Sequence, residues 1–506
     1  MNLLRKGAFK MRNVVVIAPF RRPTFRTAIS KGYPVGEPWD SPPLIITGEL
    51  INKGIDTTYY PLINILNGYD EELDKRFLEN FINENPAHIY LFTADHFIPS
   101  RSTAALYGIE ILSKLIKSKY PDSIIGSIGR ISTVLEYEIF DRVAKLDFSI
   151  IGEPEELIGE IVQSIFENGL TITENKYDCF ALKGYKKILT PAVIQNIDDI
   201  ALPAYNELEP AFELYKQYNK KDPYKVPFSI RTSLGCKFKC KFCSGVPNWL
   251  NYRKKSEKRV EAEIKHFNRH VKSRGYICFL EDEIFTRDIE HVKAITKVFK
   301  DNDVYVEGLY THSSLLTEEV AQYLEPITNR VYLGLDNAND SILRKMAKGQ
   351  NMNTVLTAVE NARSVGLKVH LEWIIGTPEE DLNSLITSLS SIFNLLNTGA
   401  VDNINTYVYC PHPGTEYAVN SDKYHMHIVG DLFDMQESGG FPASYTDMLS
   451  RNEVFTAYLM SQLLIAEVKS NIAINGHTNV VTTPNVKELK RIFNWLENSK
   501  YNELVQ

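Results

Sequence analysis

The sequence predicts an α/β protein: an N-terminal Rossmann-like, doubly wound parallel sheet, then a partial (β/α)6 barrel of the TIM type, and a small C-terminal helical unit. This prediction rests on two stretches in which strand-like apolar runs alternate with helical spacing. Five prolines interrupt the segment between them, which is typical of a linker. We therefore expect a Rossmann-like domain over 1–175, a linker over 176–227, a barrel over 228–420 and a helical cap over 421–506.

The first stretch contains five strand candidates. The run Val14–Ala18 is apolar and β-branched and ends at Pro19, as a buried parallel strand would. Helical spacing begins at Leu44 and stops before Gly54, a common residue after a helix. Further strands are predicted at 57–60, 88–93, 123–126 and 148–152, with helices at 71–82, 102–117 and 155–167. Ligands of such sheets bind beyond the carboxyl ends of the strands, here near Pro19, Ala94–His96, Gly126–Gly129 and Gly152–Glu153.

The second stretch repeats the strand–helix rhythm six times. Strands are predicted at 228–232, 276–280, 304–310, 330–335, 368–375 and 403–409. Helices are predicted at 260–271, 289–300, 318–323 and 353–365. Six repeats favour a partial barrel, whose function is expected at the carboxyl ends of the strands.

Composition and charge exclude several classes of protein. The 506 residues are 44% hydrophobic and 24% charged with a net charge of −7, which argues against a general nucleic-acid binder. The apolar run 14–20 is too short for a signal peptide, and no run approaches the ~18 apolar residues of a membrane-spanning helix. Three of the six cysteines lie within eight positions, which favours a metal site in a reducing compartment. We therefore expect a cytoplasmic protein without a membrane partner.

The crowded cysteines are Cys236, Cys240 and Cys243, separated by three residues and then by two. A [4Fe–4S] cluster normally takes four thiolates. Three thiolates on one short loop can bind three irons and leave the fourth iron open, much as a catalytic zinc site keeps one position for a ligand. The spacing therefore predicts a cluster whose fourth iron can bind a small molecule.

The neighbouring residues suit an anionic cluster on a tight loop. Gly235 permits a sharp bend, and positive charge is added by Lys237, Lys239 and Lys241. The alternatives are a zinc site or a chance arrangement. Zinc usually needs a second ligand pair, and neither Cys278 nor Cys410 belongs to a CxxC or CxxH pair.

These cysteines resemble the signature of the radical S-adenosylmethionine (SAM) superfamily. Phe242, just before the third cysteine, resembles the family residue that packs on the adenine of SAM. The acidic run after the second barrel strand resembles the motif that contacts the SAM amino group. That resemblance implies a SAM-binding role for Glu281, Asp282 and Glu283.

Other segments extend the resemblance along the barrel. Gly334-Leu-Asp336 resembles the "GIES" motif, with Asp336 in place of the usual Glu. Lys348-Gly349 resembles the "KG" that follows it, and Gly376-Thr-Pro378-Glu379-Glu380 and Pro411-His-Pro413-Gly414-Thr415 resemble the "GxPGE" and "PxPGT" loops. Glu372 is a further candidate for SAM contact. The alternative is turn chemistry for the Gly and Pro residues and ordinary salt bridges for the carboxylates.

The first stretch resembles the N-terminal cobalamin-binding domain of one radical SAM class. Pro42-Pro43-Leu44 resembles the start of its first helix, and the loops around Gly126, Gly129, Gly152 and Glu153 resemble its cofactor-facing loops. The Asp-x-His-x-x-Gly motif that supplies a cobalt ligand elsewhere is absent, because Asp95 and His96 are adjacent. The alternative is a degenerate domain that binds no cofactor.

The resemblance implies a cobalamin-dependent radical SAM enzyme that methylates a carbon of a small metabolite through a 5′-deoxyadenosyl radical and methylcobalamin. It implies an external electron donor, such as flavodoxin or ferredoxin, and no nucleic-acid partner. A radical cyclisation or rearrangement enzyme and a non-catalytic cobalamin or iron–sulfur sensor are the alternatives. Methylthiotransferases carry cluster cysteines in an N-terminal domain, whereas no cysteine precedes Cys179 here. No catalytic residue is assigned from the sequence.

Overall fold

A computed structural model describes residues 13–22, 39–66, 71–94, 103–219, 227–243, 251–435, 441–475 and 487–491. These residues form two compact units. The first contains the described residues up to Thr232 together with Arg253–Glu281, and the second contains the other described residues. These units divide the chain differently from the predicted domains. They do not test the predicted boundaries, which stay a prediction.

The first unit contains a six-stranded sheet of order β2-β1-β3-β4-β5-β6. Its strands are β1 Asn13–Ala18, β2 Asp56–Pro61, β3 Ile89–Thr93, β4 Ile124–Ile128, β5 Phe148–Ile150 and β6 Phe180–Leu182. The first five pair in parallel, whereas β6 pairs antiparallel to β5. The order reverses between β1 and β3, which is the switch point of a doubly wound sheet. The predicted sheet is therefore confirmed, with one added edge strand.

Helices follow most strands of this unit. They are α1 Ser41–Asn52, α2 Leu62–Ile65, α3 Glu71–Glu84, α4 Leu106–Lys119, α5 Arg130–Leu135, α6 Ile139–Arg142, α7 Ile158–Lys176, α8 Glu209–Asn219 and α9 Glu257–His270. Two prolines open α1, where their missing N–H groups leave no intrahelical hydrogen bond unmade. Ser256 caps α9 by accepting the N–H of Arg259.

The segment predicted to be a linker, 176–227, is more ordered than its prolines suggest. It contains β6 and α8. The ring of Phe180 in β6 stacks on Phe148 in β5 with centroids 4.8 Å apart. A three-residue strand is too short to show alternation in the sequence, so only this packing across the sheet reveals it.

The first unit also holds the first two predicted barrel strands, β7 Phe228–Ile230 and β10 Cys278–Leu280, which pair in parallel. The indole of Trp39 stacks on the ring of Phe228 with centroids 4.8 Å apart. Two short strands, β8 Ser233–Leu234 and β9 Arg253–Lys254, lie between β7 and β10 in the chain.

The second unit holds the other four barrel strands, β11 Val306–Thr311, β12 Arg330–Asp336, β13 Lys368–Ile375 and β14 Asn403–Val408, paired in parallel in chain order. Its helices are α10 Ile289–Asp301, α11 Glu318–Leu324, α12 Asp340–Lys345, α13 Met352–Ser364, α14 Leu382–Asn397, α15 Glu416–Val419 and α16 Arg451–Asn475. Several of these helices are preceded by a residue whose side chain accepts backbone N–H groups of the first turn, which fixes where the helix begins. Examples are Asp288, Thr317, Asn339, Asn351 and Asp381.

The C-terminal region is not wholly helical. An antiparallel hairpin of β15 Met426–Ile428 and β16 Ser444–Thr446 precedes the long helix α16. Its three-residue strands left no periodic signal in the sequence. Within the ranges given above, none of the helices combines the length and apolar character that a membrane crossing requires.

Packing explains two of the glycines that the sequence places at the carboxyl edge of the first sheet, although Gly126 lies in the middle of β4 and only Gly152 follows the end of a strand. A Cβ on Gly126 would lie 2.1 Å from the ring of Phe148. Gly152 has a φ of 92°, and a Cβ there would lie 2.1 Å from the carbonyl oxygen of Ala192. The N–H of Gly152 donates to Oγ1 of Thr133 at 2.9 Å. Both positions therefore need glycine for the fold alone.

We expect Gly152→Ala to destabilise the protein more than Gly184→Ala. Gly184 has a similar φ of 85° but nothing within 4 Å of its Cβ position. An alanine at positive φ costs about 1 kcal/mol, and overpacking against Ala192 adds about 1–3 kcal/mol. Urea unfolding of both variants measures the difference, and equal losses of stability would show that the contact with Ala192 does not constrain the loop.

Candidate functional site

The acidic run after β10 begins with a buried ion pair. The carboxylate of Glu281 is fully buried and lies 2.6 Å from a guanidinium nitrogen of Arg231. Its second oxygen accepts the N–H of Ser41, at the N-terminus of α1, at 3.2 Å. A helix N-terminus carries partial positive charge, so both partners stabilise the carboxylate. Glu281 thus ties the segment after β7 to α1 within the first unit.

The next two carboxylates hold the backbone that leads to the cysteines. Asp282 accepts the hydroxyl of Ser233 at 2.5 Å, and Glu283 accepts the N–H of Gly235 at 3.2 Å. Gly235 has a φ of 91°, and a Cβ there would lie 2.8 Å from the carbonyl oxygen of Asn251. Residue 235 is therefore restricted to glycine immediately before the first cysteine.

The three predicted cluster cysteines share one loop. Cys236 and Cys240 are partly buried and Cys243 is exposed. The N–H of Cys243 donates to the carbonyl of Cys240 at 3.1 Å and closes a turn between them. Contacts with the rest of the second unit hold the loop at Lys241, whose N–H donates to Met346 and whose carbonyl accepts the N–H of Tyr417.

The thiols influence one another electrostatically. The pKa of Cys236 is raised to about 11 and that of Cys240 to about 12, mainly by burial and in part by the neighbouring Cys243. The ammonium of Lys348 opposes this shift at both thiols. The three thiols are thus electrostatic neighbours on one loop, and binding iron there would displace protons from Cys236 and Cys240.

A site for a single metal ion differs from a cluster site, because its ligands must converge on one point. No three His, Cys, Asp or Glu side chains among the described residues form a group that could hold one ion. A cubane distributes its thiolate ligands over separate iron atoms, so its ligands need not converge on one point.

Lys348 and Asp336 form a buried ion pair beside the loop, with Nζ 2.5 Å from Oδ2. Burial disfavours the charge on Lys348, but Asp336 and Cys240 outweigh it and raise the pKa of the ammonium. The pairing of β12 with β13 shifts register between Gly334 and Asp336, and Asp336 has a φ of 60°. A bulge at a strand end redirects a side chain, and here it directs Asp336 to Lys348.

Phe242 and Glu372 occupy different settings. Phe242 packs against a buried cluster made of Ile342, Met346, Tyr409, Tyr417 and Met426. The ammonium of Lys348 lies 5.9 Å from the centroid of its ring. Glu372 lies on β13 and accepts the side-chain amide of Asn405 at 2.8 Å. No contact with SAM can be read from these positions, so the predicted SAM-binding roles stay predictions.

Glu380 links the loops after β12 and β13, a role that the sequence motif did not reveal. Its carboxylate is fully buried and accepts the side-chain amide of Asn337 at 2.6 Å. It also accepts the N–H groups of Gly376 and Thr377 at 2.8 and 3.0 Å. Burial raises the pKa of Glu380 to about 7, although each of these donors lowers it.

The predicted cofactor residues of the first unit are held by protein groups. Glu153 forms two hydrogen bonds with the guanidinium of Arg253, at 2.5 and 2.7 Å, and also accepts the N–H of Ile194. Gly129 has a φ of 108° and accepts the hydroxyl of Thr133 with its carbonyl. Asp95 and His96 lie outside the described residues.

We expect Asp336→Asn to destabilise the protein by about 3–5 kcal/mol, because it leaves the buried ammonium of Lys348 unpaired. Asp301→Asn is the matched control, since the Lys297–Asp301 pair has the same charges but lies on the surface. An exposed pair contributes less than about 1 kcal/mol. Urea unfolding of the metal-free variants measures both, and similar small losses would refute the importance of the buried pair.

We expect the stability of the protein to fall between about pH 5 and pH 7 through Glu380. Its pKa is higher in the folded chain, so the folded state binds more protons in this interval and loses stability as pH rises. The loss is on the order of 3 kcal/mol. The Glu380→Gln variant has no titrating group at this position. The difference between its free energy of unfolding and that of the unsubstituted protein should therefore shift in favour of the variant as pH rises. Urea unfolding at several pH values tests this, and parallel curves would contradict it.

Comparison with known proteins supports the predicted fold. The chain is 25% identical over 431 residues to an uncharacterised methyltransferase of Pyrococcus horikoshii, covering 80% of this chain and 86% of that protein. The radical SAM methyltransferase TsrM of Kitasatospora setae, solved with cobalamin and a [4Fe–4S] cluster, matches with a TM-score of 0.61 at 14% identity and covers 90% of this chain and 89% of that one.

The cobalamin-dependent SAM radical enzyme OxsB, solved with aqua-cobalamin and SAM, matches with a TM-score of 0.58 at 14% identity, over 96% of this chain and 67% of that one. These likenesses confirm the fold class, a Rossmann-like sheet followed by a partial barrel. Residues 230–390, which include the three cysteines, match the radical SAM superfamily. The predicted resemblance is thus confirmed over these residues.

Proposed function

We propose that this protein is a cobalamin-dependent radical SAM enzyme that methylates a carbon centre of a small metabolite. The observation that carries the proposal is the three-cysteine loop Cys236–Cys243, which lies within the segment that matches the radical SAM superfamily. The fold that this chain shares with TsrM over most of both chains supports the assignment to the cobalamin-dependent class.

Cys236, Cys240 and Cys243 are the proposed ligands of a [4Fe–4S] cluster. The hydrogen bonds of Asp282 and Glu283 fix the backbone before Cys236, so the loop needs little rearrangement to bind. The cluster, when bound, supplies the electron for reductive cleavage of SAM. An external electron donor, such as flavodoxin or ferredoxin, is the proposed source of that electron.

SAM is proposed to bind beside this loop, near Phe242 and the carboxylates at the strand ends. Phe242 offers a flat apolar surface for adenine, and Asp336 offers a carboxylate for the SAM amino group. Because Asp336 is already paired with Lys348, its orientation is set before any ligand arrives. Glu372 is retained as a further candidate, and Glu281, Asp282 and Glu283 contribute through the backbone that they hold.

The fold of the first unit supports the proposal that it binds cobalamin more strongly than its individual residues do. The space beside Gly126 and Gly152 is filled by Phe148 and Ala192, and Glu153 is engaged by Arg253. Gly152 and Glu153 follow β5 at the carboxyl edge of the sheet, where ligands of doubly wound sheets bind. Methylcobalamin, when bound, supplies the methyl group.

The test is anaerobic reconstitution with iron, sulfide and hydroxocobalamin, followed by SAM and a reductant. We expect about four irons per chain, cobalamin absorption bands, and release of both 5′-deoxyadenosine and S-adenosylhomocysteine. Combined alanine substitution of Cys236, Cys240 and Cys243 should abolish the iron centre. Cys179→Ala is the matched control, because Cys179 is a buried cysteine of the first unit and should not affect iron content.

The products separate the proposal from its alternatives. Release of 5′-deoxyadenosine without S-adenosylhomocysteine would indicate a rearrangement enzyme that transfers no methyl group. A protein that binds both cofactors but releases neither product would be a sensor. Absence of a four-iron centre from the unsubstituted protein would overturn the assignment.

A further inference from the structure

The first half of the cysteine loop rests on an aromatic contact that no sequence motif marks. Phe238 lies between Cys236 and Cys240, and its ring stacks on the imidazole of His312. The centroids are 3.8 Å apart and the planes differ by 13°. The same ring contacts Gly349, where a Cβ would lie 3.3 Å from it. Phe238 thus connects the loop to two other segments of the second unit.

The imidazole is itself fixed by hydrogen bonds. The N–H of Ser314 donates to Nδ1 of His312 at 3.2 Å, so Nδ1 must be the unprotonated nitrogen. The other nitrogen, Nε2, therefore carries the hydrogen and donates to the carbonyl of Lys348 at 2.9 Å. Burial, with the nearby Lys348, lowers the pKa of His312 to about 3, which keeps the ring neutral. The imidazole is a rigid, uncharged surface with one orientation.

Phe238 also acts on the first thiol directly. Burial raises the pKa of the Cys236 thiol, and the backbone N–H of Phe238 opposes that shift. The ring and the amide belong to one residue, so ordering the ring restricts the conformations that the backbone around this amide can adopt. Both the position of the Cys236 sulfur and the course of the chain towards Cys240 then depend on the stacked pair.

We infer that His312 is a positioning residue that holds the cysteine loop in its cluster-binding conformation before iron arrives, by stacking on Phe238. This inference rests on the proposed function, since it assumes that the three thiols bind the cluster. His312 itself contacts neither iron nor SAM in this inference, and it acts on the loop through its stacking on Phe238. The inference extends the motif from the three cysteines to an aromatic pair that supports them.

The first experiment uses the metal-free full chain, so it does not depend on cofactor binding. Iodoacetamide labelling followed by mass spectrometry gives a separate rate for each cysteine. We expect His312→Ala and Phe238→Leu each to accelerate labelling of Cys236 and Cys240 by at least about fivefold, because a loosened loop exposes both thiols. The already exposed Cys243 should change little.

Controls separate this effect from general unfolding. His370→Ala removes another histidine of the second unit, one that contacts Tyr332 edge-on instead of a loop residue, and should leave both rates unchanged. Cys410 is buried in the same unit and reports unfolding of the variants, because its labelling stays slow while the unit is folded. If His312→Ala unfolds the unit, Phe238→Leu alone decides the question, since Phe238 lies on the partly exposed loop.

A double variant tests whether the two residues act as one unit. His312→Ala with Phe238→Leu should label no faster than the faster single variant, because either change already breaks the stack. Unchanged labelling of Cys236 and Cys240 in both single variants would overturn the inference. Multiplied effects in the double variant would also overturn it, since they would show independent actions.

The second experiment distinguishes this inference from the proposed function. After reconstitution, we expect both single variants to lose iron to a chelator at least about fivefold faster than the unsubstituted protein. If the unsubstituted protein binds a four-iron centre and the variants retain it equally well, only the inference fails. If the unsubstituted protein binds none, the proposed function fails, and the labelling rates still report whether His312 orders the loop.

Discussion

The site depends on three successive carboxylates that hold alternate residues of one short segment. Glu281 binds the side chain of Arg231, Asp282 that of Ser233, and Glu283 the N–H of Gly235. Buried carboxylates need such partners, since an unpaired charge in the interior is costly. The first cysteine follows this segment directly, so these hydrogen bonds set where the loop begins.

Further contacts lie at the carboxyl ends of β11, β12 and β13 within the second unit. His312 follows β11 and supports Phe238, while Asp336 ends β12 and pairs with Lys348. Glu380 follows β13 and joins its loop to Asn337, the residue after Asp336. Each strand end thus supplies one contact of a different kind: stacking, an ion pair or a buried hydrogen-bonded carboxylate. Because the partners lie in different loops, no single loop determines the geometry of the thiols.

The sequence predicted the strands better than the roles of the polar residues. The predicted strand 368–375 matches β13, because eight residues give a clear apolar pattern. Strand β6 was not predicted, because its three residues are recognisable only from the stacking of Phe180 on Phe148. His312 and Glu380 were missed as positioning residues because their partners Phe238 and Asn337 lie 74 and 43 residues away in the sequence. Local spacing carries no information about such contacts, whereas the predicted cluster site rests on the cysteine spacing, which is local.

The charges around the thiols explain why the backbone must be ordered first. Burial, together with Glu283 at Cys236 and Asp336 at Cys240, raises the pKa of these thiols, so both are protonated at neutral pH. Lys348 opposes the shift at both, but it is itself engaged by Asp336. The loop therefore does not gather thiolates by electrostatic attraction, because its surroundings favour the neutral thiols. The stacking of Phe238 on His312 and the hydrogen bonds of Ser233 and Gly235 involve no sulfur atom, so they can fix the loop whether or not the thiols are ionised. Binding of iron would then require only that the thiols lose their protons. It would not also have to order the chain, because neutral contacts already establish the geometry of the loop.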